Sequence, residues 1–168
     1  PDFRLTLADG RIDAEGSLRL PGHDRRIASV TVRHMLGSGS GSADLNIGKL
    51  RFDDRLQPDQ ITHIALGVVA NVSCTVTGEG HIDWSPHRVT STGTFATDGL
   101  DLAAAFGPVQ GLVTAIRFTD LLGLVTAPGQ EMRIASVYPG IDVRSGVVHY
   151  ALLPGQRVSI RSEEHTSE

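Results

Sequence analysis

Val72-Ser73-Cys74-Thr75-Val76-Thr77-Gly78-Glu79-Gly80-His81-Ile82-Asp83-Trp84 is the stretch whose reading decides the fold. Val72, Cys74, Val76, Gly78, Gly80, Ile82 and Trp84 fall on one side of an extended chain, and Ser73, Thr75, Thr77, Glu79, His81 and Asp83 fall on the other. A period of two is the mark of a strand with one greasy and one wet face. At about 3.3 Å per residue the stretch reaches roughly 40 Å, about twice an ordinary strand. Such a strand belongs to a large sheet. Its apolar face needs a cover, which is either a second sheet or a ligand that is itself greasy.

The same alternation runs outward in both directions. Asp9-Gly10 is a hairpin signal between Phe3 to Ala8 and Arg11 to Leu20, where Ile12, Ala14, Gly16, Leu18 and Leu20 oppose charged and polar neighbours. Pro21-Gly22 ends that run, and Ala28, Val30, Val32, His34 and Leu36 share the next face. Gly37 to Ser42 reads as a hairpin loop rather than an interdomain linker, and Leu45, Ile47, Leu50 and Phe52 follow it. Beyond Trp84 come Val89 to Thr97 around Phe95, then Gly111 to Phe118 with Leu112, Ile116 and Phe118 in phase, then Glu131 to Val137 with Met132 and Ile134 in phase. Ile141 and Val143 lead through Ser145-Gly146 to Val148, Tyr150 and Leu152, and Pro154-Gly155 turns the chain into Val158 and Ile160.

Helix is expected only as short turns, at Pro58 through Ile61, Ile64 and Leu66, at Leu102 to Phe106, and at Asp120 to Leu124. None is long enough to cover a broad sheet. The expected fold is mainly β: a long, curved antiparallel sheet with two or three short helical turns, its apolar face either closed under a second sheet or forming an open hydrophobic groove. Gly16, Gly78, Gly80, Gly93 and Gly111 permit its bends.

Composition bounds the function. At 168 residues the chain holds one domain with a sizeable core, and with 40% hydrophobic but only 5% aromatic residues the buried surface comes mainly from Val, Leu, Ile and Ala. The net charge of −4, with Lys and Arg scattered, leaves no nucleic-acid footprint. A single cysteine, Cys74, excludes an internal disulfide and a thiolate metal site, and on the apolar face it reads as a small hydrophobe. No apolar run reaches the roughly 18 residues of a membrane-crossing helix. The chain opens at Pro1 in a strand pattern without Met or signal peptide, so residues 1–160 read as one β-groove segment of a larger protein. Residues 161–168 lack alternation, resemble the in-frame translation of a sequencing-library adapter and are set apart as a non-native tail.

Enzymatic readings find little. Glu79, His81 and Asp83 share the polar face at a spacing that suits metal binding or acid–base work, but His23, His34, His63, His87 and His149 show no ligand spacing and no nucleophile motif is present. Gly78-Glu79-Gly80 is not a phosphate loop, since no helix follows it. These side chains read as a solvated face, and no catalytic residue, metal or cofactor is expected. Trp84, a single large aromatic at a strand end, reads as a core plug or edge cap. Periodicity alone favours a closed β-sandwich, a binding or adhesion module that recognises glycan or protein through its loops, over an open groove. The two architectures differ at Val76, Ile82, Phe95, Ile116 and Ile134, which a sandwich buries and an open groove leaves uncovered.

Gly78-Glu79-Gly80-His81-Ile82-Asp83-Trp84, Ser91-Thr92-Gly93-Thr94-Phe95, Leu100 to Leu112 with its Phe106-Gly107-Pro108-Val109-Gln110-Gly111 core, Phe118-Thr119-Asp120-Leu121-Leu122, Thr126-Ala127-Pro128-Gly129-Gln130 and Pro139-Gly140-Ile141 occur in that order. Together they resemble the C-terminal part of the YdbH family, bacterial proteins of the wider AsmA-like group that also includes TamB. The resemblance implies an inner-membrane-anchored protein projecting into the periplasm, whose bent sheet passes phospholipid acyl chains along a hydrophobic groove toward the outer membrane. On that reading the groove lining is Val72, Val76, Ile82, Phe95, Leu112, Ile116, Phe118, Met132, Ile134, Val148, Tyr150 and Leu152. The resemblance also implies a small outer-membrane lipoprotein as partner, and the last strand, Arg157, Val158, Ser159 and Ile160, is the edge where it would add a strand.

Overall fold

Turn chemistry sets the order of the strands. Asp9 and Gly10 both take positive φ, 49° and 73°, and so supply the two-residue hairpin loop that joins β1 (Phe3–Ala8) to β2 (Arg11–Arg19) with Ala8 opposite Arg11. The computed structural model describes residues 3–20, 25–61, 69–140, 143–155 and 157–162. The chain continues through β3 (Arg26–Met35), β4 (Ser40–Phe52), β5 (Val69–Ser85), β6 (Arg88–Ala104), β7 (Gly107–Asp120), the two-residue β8 (Val125–Thr126), β9 (Gln130–Val137), β10 (Val143–Leu153) and β11 (Arg157–Ser162). All of them lie in one antiparallel sheet in the order β1-β2-β3-β4-β5-β6-β7-β9-β10-β11, with β8 alongside β7. The sheet is open, and no second sheet lies over it among the described residues.

The long strand expected at Val72 to Trp84 is part of β5, with β6 of equal length beside it. Helix is scarcer than the sequence implied. The turn at Pro58 is a 3-10 segment, Pro58–Gln60, while Ile64 and Leu66 lie outside the described residues. Leu102 to Ala104 are the end of β6, because Ala103 and Ala104 pair with Ala70 and Val69 on one side and with Pro108 and Gly107 on the other. Ladder bonds to two neighbours outweigh the helix propensity of a short alanine run. Residues 121–124 form a hydrogen-bonded turn without helix. Ser145-Gly146 lies within β10, and Ile141 lies outside the described residues.

Bulges break the period of two along a line that crosses the sheet. Residues on the apolar side are normally two apart, but Ile47 and Leu50, Thr97 and Leu100, and Val109 and Leu112 are three apart where one strand carries an extra residue. Positive φ at Asn71 (52°), Gly99 (142°), Gly111 (61°) and Ser145 (57°) marks the same band. A bulge bends its strand and sharpens its twist, so a row of them across neighbouring strands curves the whole sheet.

One end of the sheet carries a fixed cover. The β4–β5 connection folds back over the apolar face, and Leu56, 1% exposed, packs against Leu50, Phe52, Val72 and Cys74. The Gln57 side chain ties this cover to β5: its Nε2 donates to the carbonyls of Val72 and Asp53 at 2.9 and 2.8 Å, and its Oε1 accepts the Val72 N–H at 2.8 Å. Arg25 clasps the Asp53 carboxylate with two nitrogens at 3.2 and 3.0 Å, which holds Asp53 below its ordinary pKa. Burial pushes the Cys74 thiol up to about 11, with Asp98 and Asp101 adding to the effect, so the cysteine packs as a small hydrophobe. Leu56→Ala leaves a void in this cluster and is expected to cost about 2–5 kcal/mol in urea unfolding. Leu122→Ala, at a site 61% exposed, is expected to stay within about 0.5 kcal/mol of the parent chain. Equal losses at the two sites would contradict this account of the cover.

Candidate functional site: an uncovered aliphatic face

Residues directly opposite one another in neighbouring strands project to the same side of the sheet. The register therefore carries the greasy side of β5 into every other strand. Leftward, Ile82 faces Ala43, Gly80 faces Leu45 and Gly78 faces Ile47. Leu45 faces Val30 and Ala43 faces Val32, Val32 faces Ala14, and Ala14 faces Leu5. Rightward, Gly78 faces Phe95, Phe95 faces Ile116, Thr114 faces Met132, Met132 faces Val148, and Tyr150 faces Ile160. The polar residues line up on the other side in the same way, with Asp44 opposite His81, Glu79 opposite Thr94 and Thr94 opposite Arg117.

All twelve residues picked out from the sequence stand on this one face. Val76, Ile82, Phe95, Leu112, Ile116, Phe118, Met132, Ile134, Val148 and Leu152 are half-buried. Val72 and Tyr150 are buried, the first beneath the Leu56 cover and the second against Thr114, whose Oγ1 lies 3.2 Å from the tyrosine hydroxyl. Val76, Ile82, Phe95, Ile116 and Ile134 are thus not sealed as a sandwich would seal them. The face also takes in residues absent from that set: Val30, Val32, Leu45 and Ile47 before β5, and Leu100 and Val109 past the bulges. The first four lie on strands legible in the sequence. The other two are out of phase with their strands' alternation until the bulge is known.

Glycines and aromatic rings are matched across this face. Phe3 is the direct partner of Gly16, Trp84 of Gly41 and Phe95 of Gly78. In each pair the ring lies on the glycine: a methyl built on Gly16 would stand 2.8 Å from the Phe3 ring, one built on Gly41 2.5 Å from the Trp84 ring, and one built on Gly78 would run into Phe95. The rings lie low over bare backbone and protrude less than they would over a side chain. Trp84 also stacks on His34 with ring centroids 6.0 Å apart and donates its indole N–H to His34 Nδ1 at 3.2 Å, so it caps the face near the end of β5. Where β9 parts from β7, the Gln130 side chain bridges the split, accepting the Arg117 N–H at 2.8 Å and donating to the Ala127 carbonyl at 3.0 Å. The floor is continuous there.

Fold and face define an open-sheet protein with an uncovered aliphatic surface. The sequence model of the YdbH-like family, described as intermembrane phospholipid transport protein YdbH, matches residues 2–163, and the chain belongs to that family. The family's described work is phospholipid transport between membranes, not catalysis, and its setting is the cell envelope. No curated protein and no solved structure matches the chain.

The wet face holds the one charged network the sequence pointed to. His81 Nδ1 meets Asp44 Oδ1 at 2.6 Å and Nε2 meets Asp83 Oδ2 at 2.9 Å, so both ring nitrogens are engaged. Among the described residues no three His, Cys, Asp or Glu side chains are grouped to hold a metal. The hydrogen bond with Asp44 raises the His81 pKa above the ordinary 6.5, with Asp83 adding to it. A raised histidine pKa means the pairing contributes fully below the unfolded value and fades as pH climbs through the folded one. Because the group is exposed, its weight in stability is small. Titration of the His81 ring by NMR should give a midpoint above 6.5, and Asp44→Asn should bring it down. An unchanged midpoint in that variant would contradict the pairing.

Proposed function

We propose that this chain is a segment of a periplasm-spanning conduit, along whose apolar face phospholipids pass between the inner and outer membranes of the cell envelope. The observation that carries the reading is the single apolar face that runs through the ladder from β1 to β11 with no second sheet on it among the described residues. A phospholipid in water exposes its acyl chains at about 0.8 kcal/mol per methylene, so roughly thirty methylenes cost on the order of 25 kcal/mol. A trough of Val, Ile and Leu removes most of that barrier. The even lining matters as well, because shallow, similar contacts let a lipid move on where one deep well would trap it. Head groups ride at the open, wet side and need no dedicated residue. The twelve side chains from Val72 to Leu152 named in the sequence analysis act as the lining, and the full-length protein is anchored in the inner membrane.

Ile116 tests this directly. In the full-length protein Ile116→Asp puts a charge on the floor, while Ala115→Asp puts the same charge on the wet face, where Ala115 sits opposite Ala96. The first is expected to cut phospholipid transfer between the membranes at least tenfold, the effect of about 1.4 kcal/mol on a barrier, and the second to leave it near the parent rate at equal protein level. Equal effects from the two substitutions would contradict the conduit.

The partner reading concerns the edge. β11 pairs with β10 alone, Val158 and Ile160 are 58% and 66% exposed, and both continue the apolar face from Leu152 and Tyr150. Among the described residues the other edge of β11 is unpaired. A strand added by a small outer-membrane lipoprotein would lengthen the trough toward its destination. A photo-crosslinker at Val158 in the full-length protein is expected to capture that lipoprotein, and capture only from positions on β2 or β3 would contradict the arrangement.

A further inference from the structure

The turn between β7 and β8 folds inward over the sheet. Asp120 closes β7, Leu121 to Leu124 cross the apolar face, and Val125 opens β8. Beneath this strap, Gly80 on β5 and Gly93 on β6 are direct partners on the greasy side. A glycine inside a strand costs about 0.5–1 kcal/mol relative to alanine, so two facing each other call for a reason. At Gly80 Leu121 is that reason, since a methyl built there would stand 2.8 Å from Leu121 Cδ2; at Gly93 a methyl would stand 3.0 Å from the Glu79 carbonyl oxygen and from the Phe95 ring, with Leu121 Cδ2 next at 3.3 Å. The bare backbone is a seat for the leucine.

Polar bonds hold the strap down. The Ser91 hydroxyl, buried on the apolar face, donates to Asp120 Oδ1 at 2.8 Å and accepts the Leu122 N–H at 3.0 Å. The Leu121 N–H donates to the Ser91 carbonyl at 3.3 Å, and the Gly123 N–H donates to Asp120 Oδ1 at 3.0 Å. Water can replace each of these partners. The contrast with the opposite cover is plain, since Leu56 is locked in an apolar cluster while Leu122 at the strap's tip is 61% exposed. At the far end of the strap Leu124 takes φ 53°, a left-handed conformation that a leucine adopts at a cost and that a lifted strap would relax. A segment with few buried apolar contacts opens far more readily than the sheet it rests on.

We propose that the Asp120 to Leu124 strap is a gate on the lipid face: Leu121 occupies a floor position that an acyl chain would otherwise use, and chains reach the surface behind it, at Ile82, only when the strap lifts. The inference rests on the conduit reading above. Closed, the strap confines lipid to the corridor through Val76, Phe95 and Ile116. Open, it adds the part of the face around Ile82, which is the partner of the buried Ser91.

A photoreactive phospholipid and crosslinking side chains at two floor positions separate the possibilities. In the full-length protein, capture is expected at position 116 and only weakly at position 82. Ser91→Ala removes the hydroxyl that holds the strap, and Leu121→Ala empties the seat. Ser91→Ala is expected to raise capture at 82 about fivefold, the population shift that follows from losing one net hydrogen bond, and Leu121→Ala to raise it as well, with capture at 116 unchanged in both. Unchanged capture at 116 also reports that the variant sheet is folded. Strong capture at 82 in the parent protein, or no rise in either variant, overturns the gate and leaves the conduit standing. Loss of capture at both positions in every form, the parent included, overturns the conduit reading itself.

Discussion

A single constraint governs this molecule: each strand must present its apolar residues to the same side as its neighbours. Side chains alternate with a period of two, so a slip of one residue between any two strands would turn every later strand over and break the face. The ladder avoids this from Leu5 on β1 to Ile160 on β11. It does so even where the period itself changes, because the extra residue in one strand is answered by a bulge in the next, as at Gly99 and Asn71. The same bulges bend the strands. Register keeps the face on one side and the bulges curve it.

A curved sheet greasy on one side and uncovered there is costly in water, and the chain softens that cost without closing the face. The ends are covered differently, by Leu56 at one and by the Leu121 strap at the other. On β5 the two covers lie over Cys74 and Gly80, which stand roughly 20 Å apart at about 3.3 Å per residue. Phe3, Trp84 and Phe95 lie over glycines, which keeps these rings low on the floor. With aromatics at 5% of the chain and aliphatics supplying the rest, the surface offers weak contacts everywhere and strong ones nowhere. Those properties suit a ligand that must slide.

Much of this was legible in the sequence, for a physical reason. A sheet with no second sheet over it among the described residues has to carry its pattern in its own strands, so Val72 to Trp84, Phe95, Ile116 and Met132 declare their face by alternation alone. The open architecture was not legible in this way, since periodicity alone favours a closed sandwich and only the family resemblance over Gly78 to Ile160 points to an open groove. What stayed hidden depended on contacts between distant segments. The alternation fails at Val109 and Leu112 because of a bulge set by the neighbouring strand, and Leu102 to Ala104 read as helix although the ladder claims them for β6. Gly80 and Gly93 looked like bend points. Their pairing, and the leucine that fills the space, appear only once β5, β6 and the strap are brought together. Leu56, the most buried side chain of the cover, sits in a segment with no period at all.

The central claim is that lipid lies on one side of a single sheet. Paramagnetic relaxation from a phospholipid carrying a nitroxide on its acyl chain, read residue by residue along β7 in the full-length protein, tests it most directly. The account predicts side-chain broadening that alternates, strong at Leu112, Thr114, Ile116 and Phe118 and weak at Val113, Ala115 and Arg117. Broadening without alternation, or confined to the Val113 side, would contradict it.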